Sequence, residues 1–220
     1  MKIYKVLSLA IVILFSNLSF AAPPISGRVF IGASDGDLTN VNNELQALGL
    51  EEFGSIPMYG AEITYAVLPV LEVGLNYVKK QNIRETSGGA GTDYKAEFDQ
   101  DVFLAVARVP FFKTSFLRLD VFGGIGGSNT TLNINSATQS GEITKSDDSE
   151  FVASVASRYG LSVSVGYKGV YFFVEGGYEN NKVDSLKRTG TLSDNISFID
   201  MSGPYGFVGL QFDSPKITKK

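Results

Sequence analysis

Apolar and polar residues alternate along most of the chain after residue 25, and this period of two predicts β-strands rather than helices. The clearest segment is 71–77, where large apolar residues take the odd positions and small or polar residues lie between them. Segments 161–167 and 170–178 repeat the pattern, the second less strictly. Because successive strand side chains point to opposite faces, each predicted strand has one apolar face and one small, polar face.

Eight such segments can be marked, and most have the roughly 9–11 residues that a tilted strand needs to cross a lipid bilayer. No later segment is long and apolar enough to cross as a helix, so a membrane location would require a closed barrel. The predicted strands cover about residues 27–34, 57–67, 70–80, 97–110, 115–127, 152–166, 170–181 and 203–213.

The connections between these segments alternate strictly between short and long. Outer-membrane barrels join their strands in this way, by short periplasmic turns and long extracellular loops. A compact soluble domain rarely has four connections longer than about 12–15 residues. The pattern therefore predicts an all-β fold, an eight-stranded antiparallel up-and-down transmembrane β-barrel. The short connections lie at 68–69, 111–114 and 168–169, and the long ones at about 35–56, 81–96, 128–151 and 182–202.

Aromatic residues gather near the ends of the predicted strands, as the two interfacial girdles of a membrane barrel require. Enrichment of aromatics in strands explains their number, but it explains their position at strand ends less well. Beside the short turns lie Phe111, Phe112, Phe116, Tyr167, Tyr171, Phe172 and Phe212, and toward the opposite ends lie Tyr59, Tyr77, Phe98, Tyr159 and Tyr178.

The N-terminal residues have the organisation of a secretory signal peptide. Two lysines precede an apolar stretch over residues 6–15, and small residues occupy the −3 and −1 positions of a cleavage site after Ala21. A membrane-anchor helix is the alternative, but the apolar stretch is shorter than the roughly 20 residues that such a helix needs. We therefore predict a signal peptide over residues 1–21 and one outer-membrane barrel domain over residues 22–220.

Composition excludes several classes of function. The net charge is −4, and removing the signal peptide makes it −6, so the chain offers no basic surface for nucleic acid. The chain contains no cysteine and no histidine, which removes disulfides, the usual zinc ligands and the commonest general base. The glycine-rich segment 123–128 lacks the lysine of a phosphate loop, and the acidic run 147–150 is more typical of a solvated loop than of a cation site. We expect no enzymatic activity, no cofactor and no metal.

The polar strand faces carry charges that would point into the barrel if the apolar faces contact lipid. The interior of an eight-stranded barrel is only just wide enough for side chains, and buried charges must be paired. Carboxylates can also act as catalytic acids and bases, but a structural ion-pair network is the simpler interpretation. Arg108 is a weaker member, because it and Asp101 have opposite parity in strand four. The predicted lumen ion-pair network consists of Arg28, Glu62, Glu72, Arg118, Asp120 and Glu175.

Taken together, these features resemble the small outer-membrane barrels of the OmpA-type transmembrane domain and the opacity-protein group. The resemblance covers the alternating connections and a final strand, residues 203–212, that is rich in glycine and aromatics. It implies a lumen plugged by the charge network, contact with outer-membrane lipid, and folding by the barrel assembly machinery. The family usually ends on an aromatic residue, whereas here eight residues follow Phe212.

The function expected from this pattern is that of a non-enzymatic envelope structural or surface-interaction protein. Its four polar connections would meet an extracellular ligand or a host or cell surface, since binding residues concentrate on loops. The alternative is a narrow pore or transporter of small or hydrophobic solutes, as in OmpW-like barrels, because the predicted inward face also contains Phe30, Thr64, Phe122 and Phe173. A soluble barrel that holds an apolar ligand is a third interpretation.

Overall fold

The computed structural model describes residues 25–86, 94–136, 140–145, 155–183, 186–190, 196 and 198–214. The predicted signal peptide and the acidic run 147–150 lie outside the described residues. Among the described residues, no helix is long and apolar enough to cross a membrane. The elements are β1 (Ile25–Ser34), α1 (Thr39–Ala47), β2 (Ile56–Leu68), β3 (Leu71–Thr86), β4 (Tyr94–Lys113), β5 (Leu117–Ser136), β6 (Ser140–Lys145), β7 (Val155–Tyr167), β8 (Val170–Asn180), β9 (Lys182–Val183), β10 (Leu186–Gly190), β11 (Ile199–Asp200) and β12 (Gly203–Asp213).

Eight long strands close into one antiparallel barrel. Their order around the wall is β1, β2, β3, β4, β5, β7, β8 and β12, and β12 pairs again with β1. Closure gives each strand two neighbours and leaves no open sheet edge in the barrel wall. The predicted eight-stranded up-and-down barrel is confirmed.

The first residue of β1, the last residue of β12 and the three short turns lie at one end of the barrel, which we call the turn end. We call the opposite end the loop end. The two-residue turn between β7 and β8 is formed by Lys168 and Gly169, which have φ values of 52° and 87°. Two successive residues with positive φ match the right-handed twist of a hairpin. Asp213 of the last strand donates its backbone N–H to the carbonyl of Gly169 at 2.8 Å, and so ties β12 to this turn.

Three strands are longer than predicted at the loop end. The sequence pattern placed the ends of β3 at 80 and β5 at 127 and the start of β4 at 97, but they lie at Thr86, Ser136 and Tyr94. Beyond them β6 pairs with β5, and β10 pairs with β6, so the sheet continues sideways. The prediction that 81–96 and 128–151 are loops was therefore wrong for much of their length. The prediction ended each strand where the outward residues became polar. The inward residues nevertheless remained apolar at every second position, so the period of two continued.

The first long connection was predicted as a loop, yet it contains α1. Asn42 fixes the return of the chain, because its side chain donates to the carbonyl of Phe53 at 3.0 Å and accepts from its N–H at 2.9 Å. One face of α1 is buried against the inner faces of β4 and β5 and against residues that precede β12. This buried group, which we call the apolar cap, comprises Leu38, Val41, Leu45, Leu50, Phe53, Ile56, Ala96, Phe98, Leu132, Ile134, Ile196, Ile199 and Met201.

Candidate functional site in the barrel lumen

The six charged residues predicted for the lumen all lie on the inner face, where each is buried. Arg28 bonds Asp120 at 3.0 Å through Nη2 and Glu175 at 3.3 Å through Nη1. Arg118 bonds Asp120 at 2.7 Å through Nε and Glu72 at 2.8 Å through Nη2. Asp120 therefore bridges the two arginines, and a single chain of ion pairs runs from Glu72 to Glu175.

Arg108 resolves the uncertain phase of the fourth strand. Its side chain is buried in the lumen, where it bonds both carboxylate oxygens of Glu62 and, at 2.8 Å, Glu175 Oε2. Asp101 has the opposite parity and lies on the outer wall, where it accepts a hydrogen bond from the Tyr77 hydroxyl at 2.6 Å. Arg108 is therefore a full member of the network, and it connects Glu62 to the other five predicted residues.

Sequence reasoning missed a second charged group nearer the loop end. Lys80 Nζ lies 2.6 Å from Glu179 Oε1, and Arg158 bonds the other oxygen of Glu179. Asn76 links the two groups, since it accepts from Arg158 at 3.4 Å and donates to Glu62 at 3.0 Å. Each missed residue falls inside a predicted strand and shares the parity of its polar face. Parity alone would therefore have found all three.

The buried charges of the lumen balance. Five cations and five acids are buried among the described residues, so their formal charges cancel. Isolated buried charges are costly, whereas paired and hydrogen-bonded ones are tolerated. We call this set the charged lumen: Arg28, Lys80, Arg108, Arg118, Arg158, Glu62, Glu72, Asp120, Glu175 and Glu179.

Aromatic rings fill the space between the guanidinium groups. The Cζ atom of Arg108 lies 4.4 Å from the ring centroid of Phe122, that of Arg28 lies 4.8 Å from Phe173, and that of Arg158 lies 4.7 Å from Tyr205. Such stacking is favourable for arginine, whose planar cation is weakly hydrated. The lumen is thus packed with paired charges and rings.

Glycines on the inner face make room for one of these rings. A Cβ atom at Gly60 would lie 2.7 Å from the ring of Phe30, and one at Gly209 would lie 2.8 Å from the Cβ of Phe30. Each of these Cβ atoms would also lie 2.2 Å from a backbone carbonyl oxygen of the neighbouring strand, that of Tyr77 for Gly60 and that of Val29 for Gly209. Real Cβ atoms do not approach neighbours so closely, so any larger residue at these positions requires movement of the backbone as well as of Phe30. The ring of Phe30 packs on that of Phe207 with centroids 4.3 Å apart.

The outer wall is apolar over the middle of the barrel. On β7, for example, Leu161, Val163 and Val165 are exposed, while Ser162 and Ser164 between them are buried. Ten of the twelve aromatic residues assigned to the girdles lie on the outer wall or at its turns, but Phe98 and Tyr171 point inward and are buried. Parity separates these two from the rest. A belt of this kind is what a barrel presents to lipid.

Comparison with solved structures finds the same architecture in bacterial outer-membrane proteins. OprG from Pseudomonas aeruginosa matches with a TM-score of 0.53 and 11% identity, over 88% of this chain and 97% of that one. Ail, the attachment invasion locus protein of Yersinia pestis, matches with a TM-score of 0.50 and 11% identity, over 87% and 99%. The chain is an eight-stranded outer-membrane β-barrel. No protein-family model matches it, and the comparison with curated proteins found no significant match.

The apolar belt and this fold place the barrel in the bacterial outer membrane. In such barrels the short turns face the periplasm and the longer loops face the outside. The outer membrane protease OmpT from Escherichia coli also matches, with a TM-score of 0.42 and 12% identity over 90% of this chain and 99% of that one. At 11% identity the likeness to OprG and Ail establishes the fold alone. What the barrel does must be argued from its own residues.

Proposed function

We propose that this barrel is a closed, non-enzymatic scaffold that acts in the envelope as a structural or surface-interaction protein through its extracellular segments. The filling of its interior carries the proposal. The charged lumen and its rings occupy the membrane-spanning part, and the apolar cap occupies the extracellular end. In this proposal its partners are outer-membrane lipid, the barrel assembly machinery, and an extracellular ligand or a cell surface.

The absence of enzymatic activity is part of the proposal. The whole chain lacks histidine and cysteine, so a general base would have to be a carboxylate, a lysine or a tyrosine. Each acid of the charged lumen is already engaged by a cation, for example Glu62 by Arg108 and Glu179 by Lys80. A carboxylate that accepts hydrogen bonds from a fixed cation is held in place, and its oxygens are already occupied. Among the described residues, no group of three or more His, Cys, Asp or Glu side chains is arranged to hold a metal ion.

A narrow pore or transporter for small or hydrophobic solutes is the second candidate. The observation that favours it is the run of inward aromatic rings formed by Phe30, Phe173 and Phe207. These rings are packed against one another and against arginine, with centroids of Phe30 and Phe173 6.3 Å apart. A conducting state would have to separate them and break several of the ion pairs.

Single-channel recording of the full mature protein in a planar bilayer tests the closed state. The proposal predicts no stable conductance steps from the natural chain. A variant with Arg108→Gln and residues 38–53 replaced by a short glycine–serine linker removes both barriers and should conduct, while the cap replacement alone should not. Stable steps from the natural chain, altered in size by Arg108→Gln, would favour the pore.

The surface role is tested in bacteria that carry the natural barrel or one with its four extracellular connections shortened. Equal amounts of folded barrel are verified by the boiling-dependent shift on a denaturing gel. The proposal predicts a loss of cell attachment to host monolayers or of resistance to bile salts when the connections are shortened. If attachment, envelope integrity and growth are all unchanged, the surface-interaction role is wrong.

A further inference from the structure

Asn181, which directly follows β8, joins the apolar cap to the charged lumen. It is 1% exposed, and each of its polar atoms makes a hydrogen bond. In the side chain, Nδ2 donates to Glu179 Oε1 at 3.0 Å and to Gln100 Oε1 at 3.1 Å. The Oδ1 atom accepts from the Ser128 hydroxyl at 2.8 Å. Both amide protons are therefore used, so the side chain cannot move without losing a partner in a buried site.

The backbone of Asn181 is tied to the apolar cap. Its N–H donates to Ser202 Oγ at 2.9 Å, and its carbonyl accepts from the N–H of Met201, a member of the cap, at 2.9 Å. The carbonyl of Ser202 in turn accepts from the N–H of Asp37, two residues before α1, at 3.3 Å. A Cβ atom at Gly36 would lie 2.8 Å from the Cα of Met201, so the two backbones are in close contact. A shift of α1 therefore reaches Asn181 through its two backbone hydrogen bonds.

On the lumen side, Asn181 shares a carboxylate oxygen with a lysine. Lys80 Nζ lies 2.6 Å from the same Glu179 Oε1, and Arg158 Nε lies 3.2 Å from the other oxygen of Glu179. These three charged side chains are buried, and we call them the upper group. The hydrogen bond that leads from Arg158 to Asn76, toward the rest of the charged lumen, is long at 3.4 Å. A movement of Asn181 should therefore affect the upper group first.

We propose that Asn181 is a conformational relay, through which a displacement of α1 at the loop end loosens the upper group inside the barrel. Hydrogen bonds weaken steeply when they are bent, so they respond to a small movement that apolar contacts would absorb. When Met201 and Ser202 move with α1, the amide of Asn181 leaves Glu179, and the buried carboxylate loses one of its donors. The relay goes beyond the proposed surface role, because it acts whichever partner contacts the extracellular segments.

Proton exchange of buried side chains, measured by NMR on the mature barrel in detergent micelles, tests the relay. Leu45→Ala loosens α1 from the sheet. It should speed exchange of the Lys80 ammonium and Gln100 amide protons about tenfold, a change of about 1.4 kcal/mol in the opening equilibrium. Leu75→Ala makes the same substitution on the lipid-facing side of β3 and should leave both rates unchanged. Unchanged rates in Leu45→Ala would overturn the proposal.

A second background shows whether the coupling passes through Asn181. Asn181→Ala keeps the backbone hydrogen bonds to the cap but removes the side-chain bonds, so adding Leu45→Ala should not speed exchange of the Lys80 ammonium any further. An equal increase in that background would contradict the relay. Each variant is first shown to shift on boiling. If Asn181→Ala does not fold, Ser202→Ala decides, because it removes one cap-side bond and keeps the side chain of Asn181. The effect of Leu45→Ala should be smaller in that background, and an undiminished effect contradicts the proposal.

Discussion

The charged lumen and the apolar cap occupy the same inner face of the same strands, yet their chemistry is opposite. On β4 the outer residues change from Phe103 beside the lumen to Asp99 beside the cap. The inner face of β4 carries Arg108 near the turn end, but Val102, Leu104 and Val106 are also inward and apolar, as Phe98 is in the cap. The parity of the strand does not change along its length. What changes is the solvent outside, from lipid to water, and the outer face of the strand changes from apolar to polar at that level.

This comparison shows how one sheet is stabilised in two ways. Above the membrane the cap is an ordinary hydrophobic core, driven by the transfer of apolar surface out of water. Inside the membrane, lipid already covers the apolar outer face of the strands. The hydrophobic effect therefore does not require the interior to be apolar at that level. There the interior combines ion pairs and stacking with a buried apolar cluster that includes Val102, Leu104 and Val106.

The largest effect is expected from breaking the charged lumen. Arg108→Met should lower the free energy of unfolding by about 3–5 kcal/mol, because it leaves Glu62 and Glu175 buried with one cation fewer. Urea unfolding of the barrel in lipid vesicles measures the loss. A companion Arg108→Met and Glu62→Gln variant should recover part of it, and no recovery would mean that packing rather than charge pairing explains the loss.

A cavity in the apolar cap should cost about 2–5 kcal/mol, but locally. Leu45→Ala removes a fully buried side chain between α1 and the sheet. Hydrogen exchange should increase across residues 38–53, while backbone amides around Arg28 and Arg108 keep their protection. Equal loss of protection in both regions would show that the cap and the charged lumen unfold as one unit.

Charges on the outer wall should discriminate the two levels. Val163→Arg, in the middle of the lipid-facing belt, should cost about 2–4 kcal/mol in vesicles. Asn133→Arg also points outward, but it lies on the part of β5 beyond residue 127, above the lipid-facing belt. It should have little effect, because that position faces water. The same urea titration compares the two variants. A similar loss in the free energy of unfolding at both positions would place this upper part of β5 within the membrane.

The smallest effect is expected for the exposed ion pairs on the outer side of β3 and β4, above the lipid-facing belt. Lys95 bonds Glu97 at 2.6 Å and Glu85 at 3.4 Å, yet its side chain is 42% exposed. Such pairs contribute little, since they gain modest Coulomb energy in water and lose side-chain entropy. Lys95→Ala should leave the urea midpoint unchanged. A clear shift of the midpoint would show that the side chains around Lys95 are shielded from solvent.

Much of this architecture could be predicted from periodicity and connection length. Eight strands, their order and the inward position of residues such as Arg28 and Glu175 follow from parity together with the short turns. The upper parts of β3, β4 and β5 were missed, because an outward polar residue in a lipid-facing strand was taken as the end of the strand. The continued alternation through Phe98, Leu132 and Ile134 was the signal that the strands go on.

Other features could not be read from the chain. The N-cap residue of α1, Leu38, makes no side-chain hydrogen bond, although Asp37 accepts one from the N–H of Thr39 at 3.4 Å. The burial of α1 depends on contacts with distant strands, which the local sequence does not show. The pairing within the charged lumen likewise depends on which strands face each other across the interior. Parity tells that Lys80 and Glu179 point inward, but only the closed barrel brings their charged groups together.

The change of the outer face along β4 from apolar to polar can be measured directly, because the chain has no natural cysteine. Spin labels at Val109→Cys, Ala105→Cys, Phe103→Cys, Asp99→Cys and Lys95→Cys, one at a time in lipid vesicles, report collisions with oxygen and with a water-soluble nickel complex. The account predicts that oxygen dominates at 109, 105 and 103 and that nickel dominates at 99 and 95. Dominant nickel collisions at all five positions would contradict the account, because the apolar outer wall would then face water instead of lipid.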